Sequence, residues 1–277
     1  MKTNYLIILI SYFLFSNYFC VAQFVINGSA SETANGEYTL TPAQGGQVGT
    51  IWSEQKISLN DAFEIELELY FGTKDNGADG ITFSLQPKSN TVGVAGGGLG
   101  IGGITPSLIT EMDTWSNGAY GDPFFDHIAL VKNTVDHRGA DNLVTPTQIV
   151  NGKDNVEDGG WYNFKATWDP DNQVYQVYIN GIQRFSYEGD IINTVFNGDS
   201  DVYWGFTAST GGANNEQKVR IINTTIIDLF DCTETPNDQT FCDASGPASV
   251  TLDFSNIQAD ATYEWFDTKD RENSLGT

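Results

Sequence analysis

Phe63-Glu64-Ile65-Glu66-Leu67-Glu68-Leu69 alternates apolar and acidic side chains without a break. On a β-strand successive side chains point to opposite faces. This segment therefore puts Phe63, Ile65, Leu67 and Leu69 on one side and its glutamates on the other. A strand with one apolar and one charged face fits an antiparallel sheet that covers a core on one side and meets water on the other. Working outward, strand patterns recur over residues 80–86, 126–132, 161–168, 174–180, 202–208 and 219–230. Asn180-Gly181, set between Val174–Ile179 and Ile182–Tyr187, predicts a tight hairpin. Asp169-Pro170-Asp171-Asn172 predicts a second turn. Helical periodicity is scarce, so the fold class is all-β and the architecture a β-sandwich.

The chain has 277 residues and a formal charge of −23. That surface repels phosphate backbones and anionic bilayers, so neither nucleic acid nor membrane insertion is expected, while neutral ligands and cations remain. Residues 1–22 have the order of a secretory signal peptide: Lys2, an apolar run from Tyr5 to Phe15, and small residues up to Ala22. The run is short for a membrane span and is interrupted by Ser11, Ser16 and Asn17. Lipid modification of Cys20 is disfavoured by Phe19 beside it. A secreted or cell-surface location follows. Cleavage leaves Cys232 and Cys242, which an oxidising compartment allows to pair; the sequence leaves the pairing open. The main domain covers residues 23–230. Residues 231–277 are expected to form a polar linker and the start of a second, immunoglobulin-like β domain, on the alternation over 248–254 and the Tyr263-Glu264-Trp265-Phe266 segment.

Chemistry concentrates between Glu111 and His127, in EMDTWSNGAYGDPFFDH. If Ile109 to Trp115 forms a strand, Glu111, Asp113 and Trp115 share a face. Two carboxylates so placed repel each other unless a proton or a divalent cation intervenes. The surrounding residues favour the cation. Calcium takes about six to eight oxygen ligands in flexible geometry, and Asp113, Asn117, Asp122 and a backbone carbonyl can supply several of them. His127 adds a nitrogen that suits a transition ion, with the carboxylates drawing the choice toward manganese. Glu111, Asp113, Asp122 and His127 form that second set, and Asp113 and Asp122 are placed to bridge both ions.

This arrangement resembles the legume-type (L-type) lectins of the concanavalin A kind, which carry Glu-x-Asp-x-aromatic-x-Asn, then Asp-Pro, then His. Here the same order is Glu111, Asp113, Trp115, Asn117, Asp122-Pro123 and His127. The resemblance extends over about residues 24–230 and implies a jelly-roll sandwich that binds carbohydrate with Ca2+ and Mn2+. Ala78-Asp79-Gly80 resembles the first sugar-binding loop, in which the Asp accepts hydrogen bonds from sugar hydroxyls and follows a cis peptide bond. Residues 96–100 resemble the second loop, with Gly97 the best match and Gly98 beside it. The resemblance gives Trp115 two roles, a carbonyl on calcium and a ring against the sugar. Asn117 also has two, as calcium ligand and as donor to a hydroxyl. Thr210 and Gly211 belong to the variable loop that tunes specificity. Trp115 departs from the family's usual Phe or Tyr, and residues 211–216 are this chain's own, so the choice of sugar stays open. The modular tail is closer to bacterial surface proteins than to plant lectins, which suggests an adhesin with glycans or glycoconjugates as partners. The sheet edges leave room for a homodimer.

Two other classes compete. A laminarinase-like glycoside hydrolase has Glu-x-Asp-x-x-Glu on a jelly-roll strand; Glu111-x-Asp113 fits its first half. The second Glu is due at 116, or at 115 without a bulge, where this chain has Ser116 and Trp115. A retaining mechanism needs two carboxylates about 5–5.5 Å apart, so catalysis is not expected. A purely structural calcium-stiffened module is the third class, and it gives no reason for Asp79, Gly97 or Trp115. His137 lies in a polar loop and is read as solvated, and Trp161, Trp168 and Trp204 as core. The Asn27 and Asn223 sequons matter only in a eukaryotic secretory route.

Overall fold

The computed structural model describes residues 24–34, 36–91, 93 and 98–221, together with the backbone of 233–234, 240–241, 265–266 and 274–276. In chain order the strands are β1 (Phe24–Gly28), β2 (Ser31–Ala34), β3 (Glu37–Thr41), β4 (Val48–Ser53), β5 (Ile57–Ser58), β6 (Phe63–Tyr70), β7 (Gly80–Gln86) and β8 (Leu108–Asp113). They continue as β9 (His127–Lys132), β10 (Asn142–Gln148), β11 (Trp161–Asp169), β12 (Val174–Ile179), β13 (Ile182–Glu188), the short helix α1 (Ile191–Thr194), β14 (Asp201–Ser209) and β15 (Gln217–Arg220). One sheet runs β1-β4-β14-β7-β8-β9-β10, with β5 on β14; the other runs β13-β12-β11-β6-β15-β3-β2. Neighbours in both are antiparallel, and the sheets stack as a jelly-roll sandwich.

The chain divides into two compact units, residues 1–245 and 246–277. In the first, Thr233–Glu234 (β16) pairs with Thr240–Phe241 (β17). In the second, Trp265–Phe266 (β18) pairs with Ser274–Gly276 (β19). The expected signal peptide, the 222–230 end of the last expected strand, Cys232 and Cys242, and most of the expected second domain lie outside the described residues. Among the described residues, no helix is long and apolar enough to cross a membrane.

β6 keeps the period-two burial that its sequence dictates. Its outward glutamates are engaged across strands: Asn163 Nδ2 donates to Glu66 at 2.8 Å, Lys165 lies 3.5 Å from Glu64, and Arg220 pairs with Glu68. Its inward residues join the core between the sheets. There Phe83 sits 5.4 Å from Phe164 and 5.3 Å from Phe206, ring centre to ring centre. The Thr110 and Tyr175 hydroxyls, 2.8 Å apart, link the two sheets through that core. At the β12–β13 hairpin, Asn180 and Gly181 both take positive φ, as a two-residue turn of this hand requires.

The first sheet is covered on its other face as well. Trp52, Leu99, Ile101, Ile104, Ile109, Val131 and Val135 form a second apolar cluster there. Because both faces of β8 are covered, all six of its residues are buried. Trp168 and Trp204 are core residues as expected. Trp161 is not: it is half-buried on the outer face, with the Arg220 guanidinium 4.1 Å from its ring centre. The alternation in β11 that buries Tyr162 and Phe164 turns Trp161 outward.

Candidate functional site

Strand register assembles the site. Across one end of the first sheet, Ser209 stands opposite Gly80, Gly80 opposite Asp113, and Asp113 opposite His127. Residues 14 to 129 positions apart in sequence thus fall side by side in one row. β8 stops at Asp113, short of the expected Trp115, and the chain turns there: Trp115 N donates to Asp113 Oδ1 at 2.6 Å.

Asp79 sits at the head of this row, after a cis Ala78–Asp79 peptide bond. Its main chain is fixed on both sides, with Asp79 N donating to Ser209 O (2.9 Å) and Thr114 N donating to Asp79 O (3.0 Å). Gln217, buried beneath, completes the fastening. Its Oε1 accepts from Gly80 N (2.8 Å) and its Nε2 donates to Ser209 O (3.0 Å) and to Thr41 Oγ1 (2.8 Å). Gly80 has φ +131°, and a Cβ there would lie 2.3 Å from Met112 O, so only glycine allows this approach to β8. Burial pushes the Asp79 carboxyl up to about 6, and its Oδ2 is buried with no hydrogen-bond partner among the described residues. Gly211 passes alongside: a methyl group there would stand 3.8 Å from Oδ2.

Beside Asp79 lies the acid–imidazole cluster. Glu111 is 1% exposed. Its Oε1 meets His137 Nε2 at 2.5 Å and His127 Nε2 at 3.3 Å, and its Oε2 has no partner among the described residues. Burial pushes the Glu111 carboxyl up, but the two imidazoles outweigh it and hold the group below its usual range. Asp113 goes the other way: burial, then the neighbouring Glu111, push it well above. Burial likewise raises Asp122. Ligand atoms of Asp113, Asp122 and His127 lie within 4.8 Å of one another, as do those of Glu111, His127 and His137. So dense a set of buried anions beside lone-pair nitrogens has the donor chemistry of a divalent-cation site.

His137 is the residue that the sequence analysis missed. The expectation of a solvated side chain is overturned: the loop after β9 folds back over the sheet and buries the ring. His137 N donates to Tyr120 O at 2.8 Å, which binds this loop to the one that carries Asp122.

The remaining expected residues fall as follows. Asn117 N donates to Asp122 Oδ2 (2.6 Å) and Asn117 Nδ2 to Trp115 O (3.1 Å), so the side-chain amide and that carbonyl converge. For both to offer oxygen to a cation, the amide must turn by half a rotation, which leaves its shape unchanged. Trp115 is 39% exposed and, with Phe124, Phe125 and Asn155, lines an open cleft of about 390 Å³. Thr210 is turned inward: its hydroxyl donates to Gln44 O (2.6 Å) and accepts from Gln47 N (2.9 Å), which ties the loop down. The Gly98 carbonyl accepts from Ile101 and Gly102 N, both at 2.9 Å. Gly97 lies outside the described residues. Asn215, in the stretch read only as polar, is buried. It joins the 210–216 loop to the one leading to Asp79, accepting from Thr73 N at 3.2 Å and donating to Lys74 O at 3.0 Å.

A jelly-roll sandwich with such a site at one sheet end defines a lectin-like β domain. Residues 17–223 match the legume lectin beta-barrel domain family, and the chain belongs to that family. Carbohydrate binding is the activity of its class. Among curated relatives, pesticidal crystal protein Cry22Aa of Bacillus thuringiensis is 26% identical over 231 residues, 72% of this chain and 31% of that protein. A serine-rich adhesin for platelets from Staphylococcus aureus is 27% identical over 224 residues, 70% of this chain and 9% of the adhesin. The chain therefore spans less than a third of the length of either. Among solved structures, winged bean acidic lectin complexed with methyl-α-D-galactose gives a TM-score of 0.59 at 21% identity, covering 71% of this chain and 89% of that one. Lectin I-B4 from Griffonia simplicifolia, in a metal-free form, gives 0.57 at 20% identity, with 71% and 89% covered. These likenesses are in fold.

Proposed function

We propose that this chain is a non-catalytic, calcium-dependent glycan-binding domain of a secreted or surface-displayed bacterial-type adhesin. Asp79 accepts hydrogen bonds from sugar hydroxyls, Trp115 packs on the sugar's apolar face, and Asn117, the Gly97–Gly98 loop and Gly211 complete a shallow polar site. Asp113, Asn117, Asp122 and the Trp115 carbonyl hold calcium; Glu111, Asp113, Asp122 and His127 hold a transition ion. The ions neutralise the buried carboxylates and stiffen the 113–122 loop on which Trp115 and Asn117 stand. Residues 1–22 act as the export signal. The likeness to a staphylococcal adhesin supports a surface role.

The observation that carries this reading is Asp79, whose main chain is fastened by Ser209 and Thr114 while its carboxylate Oδ2 has no partner among the described residues. Sugars are neutral, so the net charge of −23 does not oppose binding. The hydrolase alternative would make Glu111 the nucleophile, but at 1% exposure under two imidazoles its carboxylate is out of a substrate's reach. The test is a glycan array probed with the wild type and with Asp79→Ala. Loss of the wild-type signals in a variant with an unchanged melting profile supports the assignment; retention of them removes Asp79 from the site.

A further inference from the structure

We propose that His137 is a direct metal ligand, making the transition-ion half of this site a two-imidazole centre that favours a late first-row ion of the zinc, cobalt and nickel class over manganese. The inference rests on the proposed cation role of Glu111, Asp113, Asp122 and His127. It goes beyond the ligand pattern that ends at His127, because the second imidazole arrives from another loop, ten residues on.

Geometry carries it first. His127 Nε2 and His137 Nε2 are 3.3 Å apart and face the same Glu111 oxygen, and His137 Nε2 is 3.6 Å from Asp122 Oδ1. Two ligands bound at about 2.1 Å to one ion stand roughly 3.0–3.4 Å apart. The contact between the imidazoles and that between His127 and Glu111 already have this spacing. The Glu111–His137 contact reaches it with a small opening. Without an ion, one ring donates its N–H to the other's lone pair; with both lone pairs turned inward, a cation between them is needed to offset their repulsion. One cation between them accepts both lone pairs and also takes up the carboxylate oxygen of Glu111 that has no other partner among the described residues.

The surroundings suit a ligand more than a chance burial. The His137 backbone is held at both ends, by the Tyr120 carbonyl and by Asn142 Nδ2, which donates to His137 O at 3.0 Å. His137 Nδ1 and Asn142 Oδ1 are both buried, and neither has another partner among the described residues. Asn142 is thus the acceptor at hand for an Nδ1–H, which would leave the Nε2 lone pair for the ion. Metal-bound imidazoles are ordinarily oriented in this way. Carboxylate-rich sites suit manganese, while added imidazole nitrogen moves preference toward the later ions. The alternative occupant is a proton, with His137 as a plain ion-pair partner of Glu111.

The experiment uses the full chain, stripped of metal and titrated with Co2+ and with Mn2+ against a competing chelator, as wild type, His137→Gln and His137→Ser. In both variants Co2+ affinity is expected to fall by at least about tenfold and Mn2+ affinity to fall less, so that the preference for cobalt narrows. Pulsed EPR of the Cu2+-loaded wild type is expected to show two coupled imidazoles, and it decides the matter without a variant should the variants fail to fold. A single coupled imidazole, an unchanged cobalt-to-manganese preference in the variants, or no ion bound at all overturns the proposal. Glycan binding is read separately on the same wild-type sample. Two imidazoles with no glycan bound removes the lectin reading and leaves this inference standing; glycan bound with one imidazole does the reverse.

Discussion

Asp113 stands directly opposite His127 in the β8–β9 ladder, and both side chains leave the sheet on the face away from the main core. Cross-strand partners of this kind lie about 4.5–5.5 Å apart at Cβ, so the ladder itself sets the span over which a carboxylate and an imidazole converge. A slip of one residue in β8 would send Glu111 and Asp113 into the apolar interior and Met112 into the cluster. The same row, continued to Gly80, ties the position of Asp79 to that of the cation ligands.

Removing divalent ions is expected to loosen the protein. Ligands that bind only the native state add stability, about 2.7 kcal/mol at a hundredfold excess over the dissociation constant. For a domain of this size that is roughly 5–10 °C in Tm. Thermal melts with excess calcium and with a chelator measure the difference; coincident melts would argue that no ion contributes to the native state.

Trp115→Ala should weaken glycan binding by roughly fivefold, the effect of losing an aromatic plate worth about 1 kcal/mol. The ring is half exposed and lies beyond the strand, so the Tm should change little. Titration calorimetry with a glycan identified on the array tests this. An unaltered affinity would place the sugar elsewhere.

Gln217 touches no expected ligand, yet it supports the loop that does. Gln217→Ala leaves the Gly80 N–H without its acceptor, and an unsatisfied buried donor costs about 1–3 kcal/mol. Chemical denaturation should show that loss. Glycan affinity should fall with it because Asp79 loses its fixed position. A destabilised variant with full affinity would show that Asp79 is held well enough by Ser209 and Thr114 alone.

Glu157 gives the chain a pH signature. Burial, opposed by the Asn215 amide and reinforced by Asp126, pushes its carboxyl up to about 8 from an ordinary 4.5. The native state then keeps a proton that the unfolded chain releases, so this residue's contribution to stability falls as pH rises from about 4.5 through about 8. Glu157→Gln stays neutral, and its carbonyl can still accept from Asn215 Nδ2. Its Tm should match the wild type near pH 4 and exceed it above pH 8, as melts over that range at fixed calcium will show. A gap that is constant with pH would mean that Glu157 does not titrate there.

What the sequence made legible, and what it hid, follows from which faces are covered. β6 has one wet face, so its alternation survives in the residue types. β4, Val48–Ser53, is buried almost throughout and carries no such contrast, and no strand was expected there. β10 was also missed: it is a half-exposed edge strand containing Pro146, a residue that edges tolerate and central strands do not. The cation ligands from Glu111 to His127 were readable because their spacing is local. His137 was not, since Thr134, Asp136 and Arg138 around it are polar and its burial depends on the loop folding back onto the sheet. Asn215 and Gln217 were missed for the same reason, as their partners lie more than a hundred residues away.

In the proposed function, cations among Asp113, Asp122 and their neighbours build the sugar site next to them, so sugar binding must follow the ions. The most direct test is one glycan array run on the same preparation with calcium present, after chelation, and after calcium is restored. Specific signals are expected to vanish on chelation and to return with the ion. Signals of equal strength in all three conditions would contradict this dependence.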